Sequence, residues 1–226
     1  MITVIPQLIK PQRLPFIDEK LKEIEWSDGT LTAHGSAKNS KKNSQCVKPS
    51  EALNKINALV LMALKENNTI VNTITPTEIL YPMLNKHTVG EYYGKHIDRP
   101  LRYLTKKDKY FRADVSCTVF LSDKDSYDGG ELVIQHGATN QRVKLNKGDA
   151  VLYPTSHLHE VKEVTRGERI CAVTWMQCAI ADSNEREMVA DIFKLNNLVA
   201  TATDDENIHG LASKVYNNLF RKFARF

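Results

Sequence analysis

The chain has 226 residues, 42% of them hydrophobic and 26% charged, a composition that fits one medium-sized globular domain and excludes collagenous, disordered and membrane-embedded readings. A formal charge of +4, from 31 basic and 27 acidic residues, is too small to argue for a nucleic-acid partner, and no membrane partner is expected. Four widely spaced cysteines with no Cys-x-x-Cys pair, and no secretory pattern in Met1 to Pro15, point to reduced thiols in a cytoplasmic protein.

In chain order, a short helix is predicted at Asp18 to Ile24 and an alternating, strand-like stretch near Thr30 to His34. From Ser36 to Ser50 the run of Ser, Asn, Lys and Gln holds too few apolar side chains to pack and reads as an exposed loop. Ser50 then opens a helix in which Leu53, Ile56, Leu59, Val60 and Leu64 recur at helical spacing on one face. From Thr69 the period shortens. Strands are predicted at Thr69 to Ile74, Leu80 to Leu84, Val115 to Leu121, Glu131 to Gln135, Gln141 to Lys144, Ala150 to Tyr153 and Ile170 to Gln177.

Turn residues such as Asp128-Gly129-Gly130, Asn146-Lys147-Gly148-Asp149 and Arg166-Gly167 punctuate these runs, and no helix intervenes. That pattern argues for an antiparallel sandwich or barrel. Past Ala181, Met188, Ile192, Phe193 and Leu195, then Leu211, Val215, Leu219 and Phe220, recur as in two helices buried on one side, with a polar break at Thr201 to Asn207. The division expected is an N-terminal extension with a supporting helix (1–68), a β core (69–180) and a helical extension (181–226). In the last of these, Tyr216 to Phe226 interleaves Phe with Arg and Lys and either packs on the barrel or forms a partner or homodimer element.

Two lysine clusters, Lys38, Lys41 and Lys42, then Lys106, Lys107 and Lys109, read as solvated loops, because no aromatic residues are interleaved to stack nucleic-acid bases. Chemistry concentrates elsewhere. His96 and Asp98, one residue apart on an extended segment, project to the same side and are able to share one metal ion. A second histidine from a distant strand would complete a two-His-one-carboxylate face that leaves positions open for a co-substrate and dioxygen, the arrangement suited to iron(II). Spacing offers both His157 and His159 for that place. Farther on, Arg169 opens a strand where its guanidinium could clamp a carboxylate in two-point fashion, whereas Arg166 sits at the turn, where a solvated arginine is expected.

The blocks Gly90-x-x-Tyr93-x-x-His96-x-Asp98, Tyr127-Asp128-Gly129-Gly130-Glu131-Leu132, Gly148-Asp149-x-x-x-Tyr153-Pro154, Leu158-His159-x-Val161 and Val164-Thr165-Arg166-Gly167-x-Arg169 resemble, in order, the bacterial PKHD-type hydroxylases among the prolyl-4-hydroxylase-like oxygenases. The resemblance runs from about Pro82 to Gln177. It implies a mainly β chain with flanking helices, built on a double-stranded β-helix (a cupin-like jelly roll). It also implies iron(II) at His96, Asp98 and His159, 2-oxoglutarate on Arg169, and L-ascorbate as supporting reductant. The family marks the histidine before x-Val, which favours His159 over His157, and the two glycines of Asp128-Gly129-Gly130 are then turn residues at positive φ.

Two places depart from the family. Where related sequences carry a tyrosine nine residues before the first metal histidine, this chain has His87, so His87, Tyr81 and Tyr93 are the candidates for a hydrogen bond to the oxo acid. The segment Arg99 to Arg112 is lysine-rich where an active-site lid is expected. The activity expected is dioxygen-dependent hydroxylation of a C–H bond in a peptidyl, prolyl-like residue or a small molecule, with release of succinate and carbon dioxide. The alternatives are a zinc hydrolase, in which Arg169 would have no evident job, and a β-barrel binding module that has lost activity.

Overall fold

The computed structural model describes residues 1–32 and 40–225. In chain order its elements are β1 (Thr3–Ile5), α1 (Leu14–Leu21), β2 (Ser27–Asp28), β3 (Lys41–Lys42), β4 (Ser44–Gln45), α2 (Glu51–Glu66), β5 (Pro76–Ile79), β6 (Met83–His87), β7 (Tyr92–His96), β8 (Leu101–Leu104), β9 (Lys109–Arg112), β10 (Val115–Phe120), β11 (Asp128–Gly129), β12 (Leu132–His136), β13 (Thr139–Val143), β14 (Ala150–Pro154), β15 (His159–Val161), β16 (Val164–Arg166), β17 (Arg169–Cys178), α3 (Ser183–Ala202) and α4 (Glu206–Phe223). A larger antiparallel sheet has the order β1-β14-β10-β17-β6-β4-β2, with β5 also on β17, and a smaller sheet has the order β13-β12-β15-β7-β3. The two form a jelly roll, so the mainly β architecture with flanking helices is as expected.

Alternation along the central strands separates two cores. On β17, Ile170, Ala172, Met176 and Cys178 face an outer core with Ile56, Val60 and Leu64 of α2, while Cys171 joins an inner core with Phe120, Leu132, Ile134 and Val161. On β10, Val115, Cys117 and Val119 likewise face the outer core and Phe120 the inner one. Helix α2 starts where the sequence places it, the Ser50 hydroxyl accepting from Leu53 N at 3.1 Å.

Several expectations shift. The first helix is Leu14–Leu21 rather than Asp18 to Ile24, entered through Pro11 and Pro15 in its first turns. Thr69 to Ile74 is not a strand: Ile70–Ile74 forms a π-helical turn that buries Ile70 and Ile74 in the outer core and ends at Thr75 with φ +51°. Leu80 to Leu84 becomes a strand only from Met83, and of the strand-like stretch near Thr30 to His34, Gly29–Thr32 is a 3-10 turn while residues 33–34 lie outside the described residues.

The Ser36 to Ser50 loop, which includes 36–39 outside the described residues, is not an exposed loop from Lys41 to Gln45. There β3 pairs with β7 at the edge of the smaller sheet and β4 pairs with β6 in the larger one, so this arm joins both sheets and buries Lys41, Asn43 and Gln45. Lys38 is outside the described residues and Lys42 is exposed, but Lys41 is no solvated residue.

The two C-terminal helices form with the break expected. Helix α3 buries Val189 and Ala190, yet α4 buries no residue, and Leu195, Leu211 and Val215 stay exposed rather than packed on one side. Among the described residues no helix is long and apolar enough to cross a membrane.

Candidate metal centre

The smaller sheet supplies the candidate ligands. His159 opens β15 and is paired in register with His96 at the end of β7, and the next aligned pair is Val161 with Tyr93. Between these pairs one residue of β15, Glu160, therefore faces two of β7, Gly94 and Lys95. The bulge this creates turns both Tyr93 and His96, which strict alternation would send to opposite faces, into the barrel. Their rings stack at 3.6 Å, and His96 and His159 stand 4.2 Å apart, centroid to centroid.

Each histidine donates its Nδ1–H to the carbonyl two residues earlier, His96 to Gly94 at 2.8 Å and His159 to His157 at 3.0 Å. A carbonyl only accepts, so this fixes the tautomer and leaves each Nε2 with its lone pair free for a metal. Burial, then the neighbouring His159, holds the His96 pKa down to about 4, which keeps the ring neutral as a ligand must be.

Asp98, just past β7, completes the set: one ligand atom from each of His96, Asp98 and His159 lies within 4.8 Å of the others. The Asp98 Oδ2 accepts from Ser116 Oγ at 2.7 Å and Trp175 Nε1 at 2.9 Å, two donors that fix the carboxylate's orientation. His157 is not part of the cluster; its ring lies 5.4 Å from His136, and its backbone carbonyl is what orients His159. The donor chemistry, two neutral imidazoles and one carboxylate on one side of a cavity, fits a divalent iron with open positions.

The cavity next to the cluster, about 130 Å³, is lined from both sheets and from the 41–45 arm. Strand β17 contributes Arg169, Val173 and Trp175 from one face, β6 contributes Met83, Asn85 and His87, and the arm contributes Lys41, Asn43 and Gln45 at alternate positions. Arg169 is only 2% exposed, and its Nε has no hydrogen-bond partner. Both ring nitrogens of His87, also in the lining, are buried and equally unpartnered, whereas the buried Tyr127 lies outside the lining.

A bound carboxylate would accept from the Arg169 guanidinium and from the one N–H of a neutral His87, donors that cost roughly 1–3 kcal/mol each when left bare. These residues fit the distal end of 2-oxoglutarate. His87 stands opposite Arg169 in register on β6, and burial, reinforced by the positive Arg169 and Lys41, holds its pKa well below the usual histidine range, so it meets a ligand as a neutral ring. Burial pushes the Tyr127 phenol upward, which keeps its proton available for donation.

Gly130 explains how the guanidinium fits. It has φ +64°, and a Cβ there would sit 3.0 Å from Val164 Cγ2 and 3.1 Å from both Arg169 Cδ and Tyr127 Cε2. Of the other candidates, Tyr93 lines the cavity, its phenol raised to about 12 chiefly by burial, whereas Tyr81 is 72% exposed and not in the lining. Arg166 is at the surface, paired with Asp128 at 2.6 Å, as a turn arginine should be.

Sequence reasoning passed over Ser116, Trp175, Tyr127, Lys41 and Arg102. Strand parity carries a signal for two of them: Ser116 shares the inward parity of Thr118 on β10, the two polar residues of that strand, and Trp175 shares the parity of Arg169.

The 2OG-Fe(II) oxygenase superfamily matches residues 82–177. Over its whole length the chain is similar to PKHD-type hydroxylases. It is 34% identical to that of Janthinobacterium sp. (strain Marseille) over 225 residues, covering 99% of each chain, and 38% identical to that of Shewanella frigidimarina over 224, covering 98% of this chain and 99% of the relative. Among solved structures, a Trichoplax adhaerens prolyl hydroxylase in complex with a hypoxia inducible factor oxygen degradation domain peptide fragment shares the fold, with TM-score 0.56, 15% identity, and coverage of 83% of this chain and 86% of that one.

Fold, ligand cluster and relatives together define an iron(II)- and 2-oxoglutarate-dependent dioxygenase, an oxidoreductase. More narrowly, the chain belongs to the PKHD-type hydroxylases, and because these relatives match from end to end, the likeness takes in α1 to α4 as well as the barrel.

Proposed function

We propose that the chain hydroxylates a C–H bond of a peptidyl, prolyl-like residue or of a small molecule, with His96, Asp98 and His159 holding iron(II) and Arg169 holding 2-oxoglutarate. Bound iron(II) supplies the oxidation, in which dioxygen, 2-oxoglutarate and the substrate C–H give succinate, carbon dioxide and C–OH. The observation that carries this reading is the buried Arg169, with an unpartnered Nε, in the lining of the cavity that also holds the His-Asp-His cluster.

The chain's own residues do the rest. Arg169 and His87 bind and orient the diacid, Ser116 and Trp175 hold Asp98, and the Tyr93 ring stacks on His96. A zinc hydrolase would need a general base besides the ligands, and among the described residues Asp98 is the sole carboxylate of the lining. The peptidyl arm draws support from the peptide complex of the Trichoplax neighbour, and L-ascorbate is the reductant that would keep the iron divalent.

Anaerobic titration of the metal-free protein with iron(II) and 2-oxoglutarate tests the assignment. A weak visible charge-transfer band is expected in the wild type, absent in His96→Ala and His159→Ala and displaced to higher 2-oxoglutarate concentration in Arg169→Ala. Tight zinc binding with no such band would refute it. Ascorbate enters the same test aerobically: turnover that decays without it and persists with it is the expected result.

A further inference from the structure

The lysine-rich segment 99–112 is a hairpin of β8 and β9, and it carries one cation into the cavity. Arg102, in the middle of β8, pairs in register with Phe111, and its guanidinium carbon lies 3.7 Å from the centre of the Trp175 ring. The indole N–H of that tryptophan is bonded to Asp98. Arg102 therefore sits one ring away from a candidate metal ligand, in the same cavity lining as Arg169.

Its position is built. Phe111 and Trp175 form a small apolar cluster with Leu104 packed against it, and Lys109 reaches Glu78 of β5 at 2.8 Å, with Lys107 bonded to the same carboxylate. The Nε of Arg102 is buried without a hydrogen-bond partner, and among the described residues no carboxylate lies within ion-pair distance of it. The lining holds Lys41, Arg102 and Arg169 against the single carboxylate Asp98.

Charge counting shows what is missing. Iron(II) and the 2-oxoglutarate dianion would offset each other and Asp98 would offset one arginine, which leaves the other arginine of the lining, with Arg102 half-buried there, without a matching negative charge. A guanidinium whose carbon stands 3.7 Å over an indole ring spends none of its N–H groups on that contact and can receive a carboxylate through two hydrogen bonds.

We propose that Arg102 binds a carboxylate of the molecule that is hydroxylated, so that the substrate is an acid or an acidic residue of a peptide. This rests on the iron and oxo-acid reading above. It assigns Arg102 to the substrate rather than to the co-substrate, and so makes it a specificity-determining residue.

The test uses the anaerobic iron(II) and 2-oxoglutarate complex and the proton relaxation of added propionate, propionamide and acetyl-Gly-Asp-Gly-amide, with the charge-transfer band recorded in every sample. Propionate should be relaxed by the iron and the isosteric propionamide not. Binding should weaken by about tenfold or more in Arg102→Leu and Arg102→Gln, and partly return in Arg102→Lys, while the band is unchanged in all three. Relaxation by the peptide as well would place the carboxylate in a peptide substrate, and relaxation by propionate alone in a small acid.

Equal relaxation by acid and amide, no relaxation by propionate with the band present, a propionate effect that abolishes the band, or wild-type behaviour in Arg102→Leu would each overturn the proposal. A wild type that shows no band at all would bring down the co-substrate reading, and this inference with it.

Discussion

Gly130→Ala should damage 2-oxoglutarate binding without touching any of the three candidate metal ligands. At φ +64° any L side chain costs about 1–2 kcal/mol of backbone strain. Gly137 offers the control, since it has φ +60° but nothing within 4 Å of where a Cβ would stand, so Gly137→Ala carries the strain alone. At Gly130 the methyl also meets Val164, Tyr127 and Arg169 at 3.0–3.1 Å. Of these, Arg169 has the freest path, because its Cδ is the contact and its head faces the cavity. A displaced guanidinium forfeits a charge-assisted pair, roughly 1.5–3 kcal/mol, or about 10- to 150-fold in affinity. The assay is anaerobic titration of the iron(II) protein with 2-oxoglutarate, read by the charge-transfer band, beside urea unfolding of both variants. Both should lose comparable backbone stability, and Gly130→Ala alone should lose co-substrate affinity, with iron affinity unchanged. If the two variants bind 2-oxoglutarate equally well, the role given to this glycine is wrong.

Ser116→Ala removes one of the two donors to Asp98 and should lower iron(II) affinity by about 10- to 100-fold in a competition titration, with the fold intact. Ser50→Ala deletes the cap of α2 and should cost about 1 kcal/mol in denaturant unfolding, with no effect on co-substrate affinity. The metal-free protein should be less stable in acid. His87 and His96 have pKa values below the ordinary 6.5 in the folded state, so the unfolded chain takes up protons that the folded chain refuses. Their contribution is therefore complete above pH 6.5 and is lost as pH falls toward 4, by up to about 1.4 kcal/mol per pH unit for each ring. His87→Gln should flatten that slope in thermal melts between pH 7 and 5; an unchanged slope would show that His87 does not titrate as argued.

The strands that could be read from sequence are those whose side chains alternate or whose ends carry turn glycines, such as Val115–Phe120 and Ala150–Pro154. What escaped was set by distant partners. The Ile70–Ile74 turn has the β-branched composition of a strand, but α2 breaks at the extended Asn67, whose side chain accepts from Ile70 N at 3.1 Å, and the new helical turn buries Ile70 and Ile74 in the same core as α2. Met188, Leu195, Leu211 and Val215 have helical spacing and do lie in helices, yet periodicity does not say whether a face will find something to cover it.

In the site, spacing left His157 and His159 equal, and the structure separates them through register: only His159 is opposite His96. Both ring orientations then follow from one local habit, an Nδ1–H bonded to the carbonyl two residues back, which no pattern of residue types announces.

The 41–45 arm shows the limit of hydropathy most clearly. Lys41, Asn43 and Gln45 lack the apolar surface to drive their own burial, and taken alone they belong in water. They are buried because the cavity floor is itself polar: Asn85 Oδ1 accepts from Asn43 at 3.2 Å and also from Gln45, and Lys41 lies over Tyr93 at 5.3 Å. Burial lowers the Lys41 pKa to about 8, still high enough to keep most of its charge at neutral pH. A barrel that must hold a dianion beside a divalent metal needs polar walls, and an arm that looks like loop sequence is what supplies them. A hydrophilic stretch that follows no secondary-structure period can therefore mark the lining of a charged pocket as readily as a solvated loop, and only its strand partners, β6 and β7 here, distinguish the two.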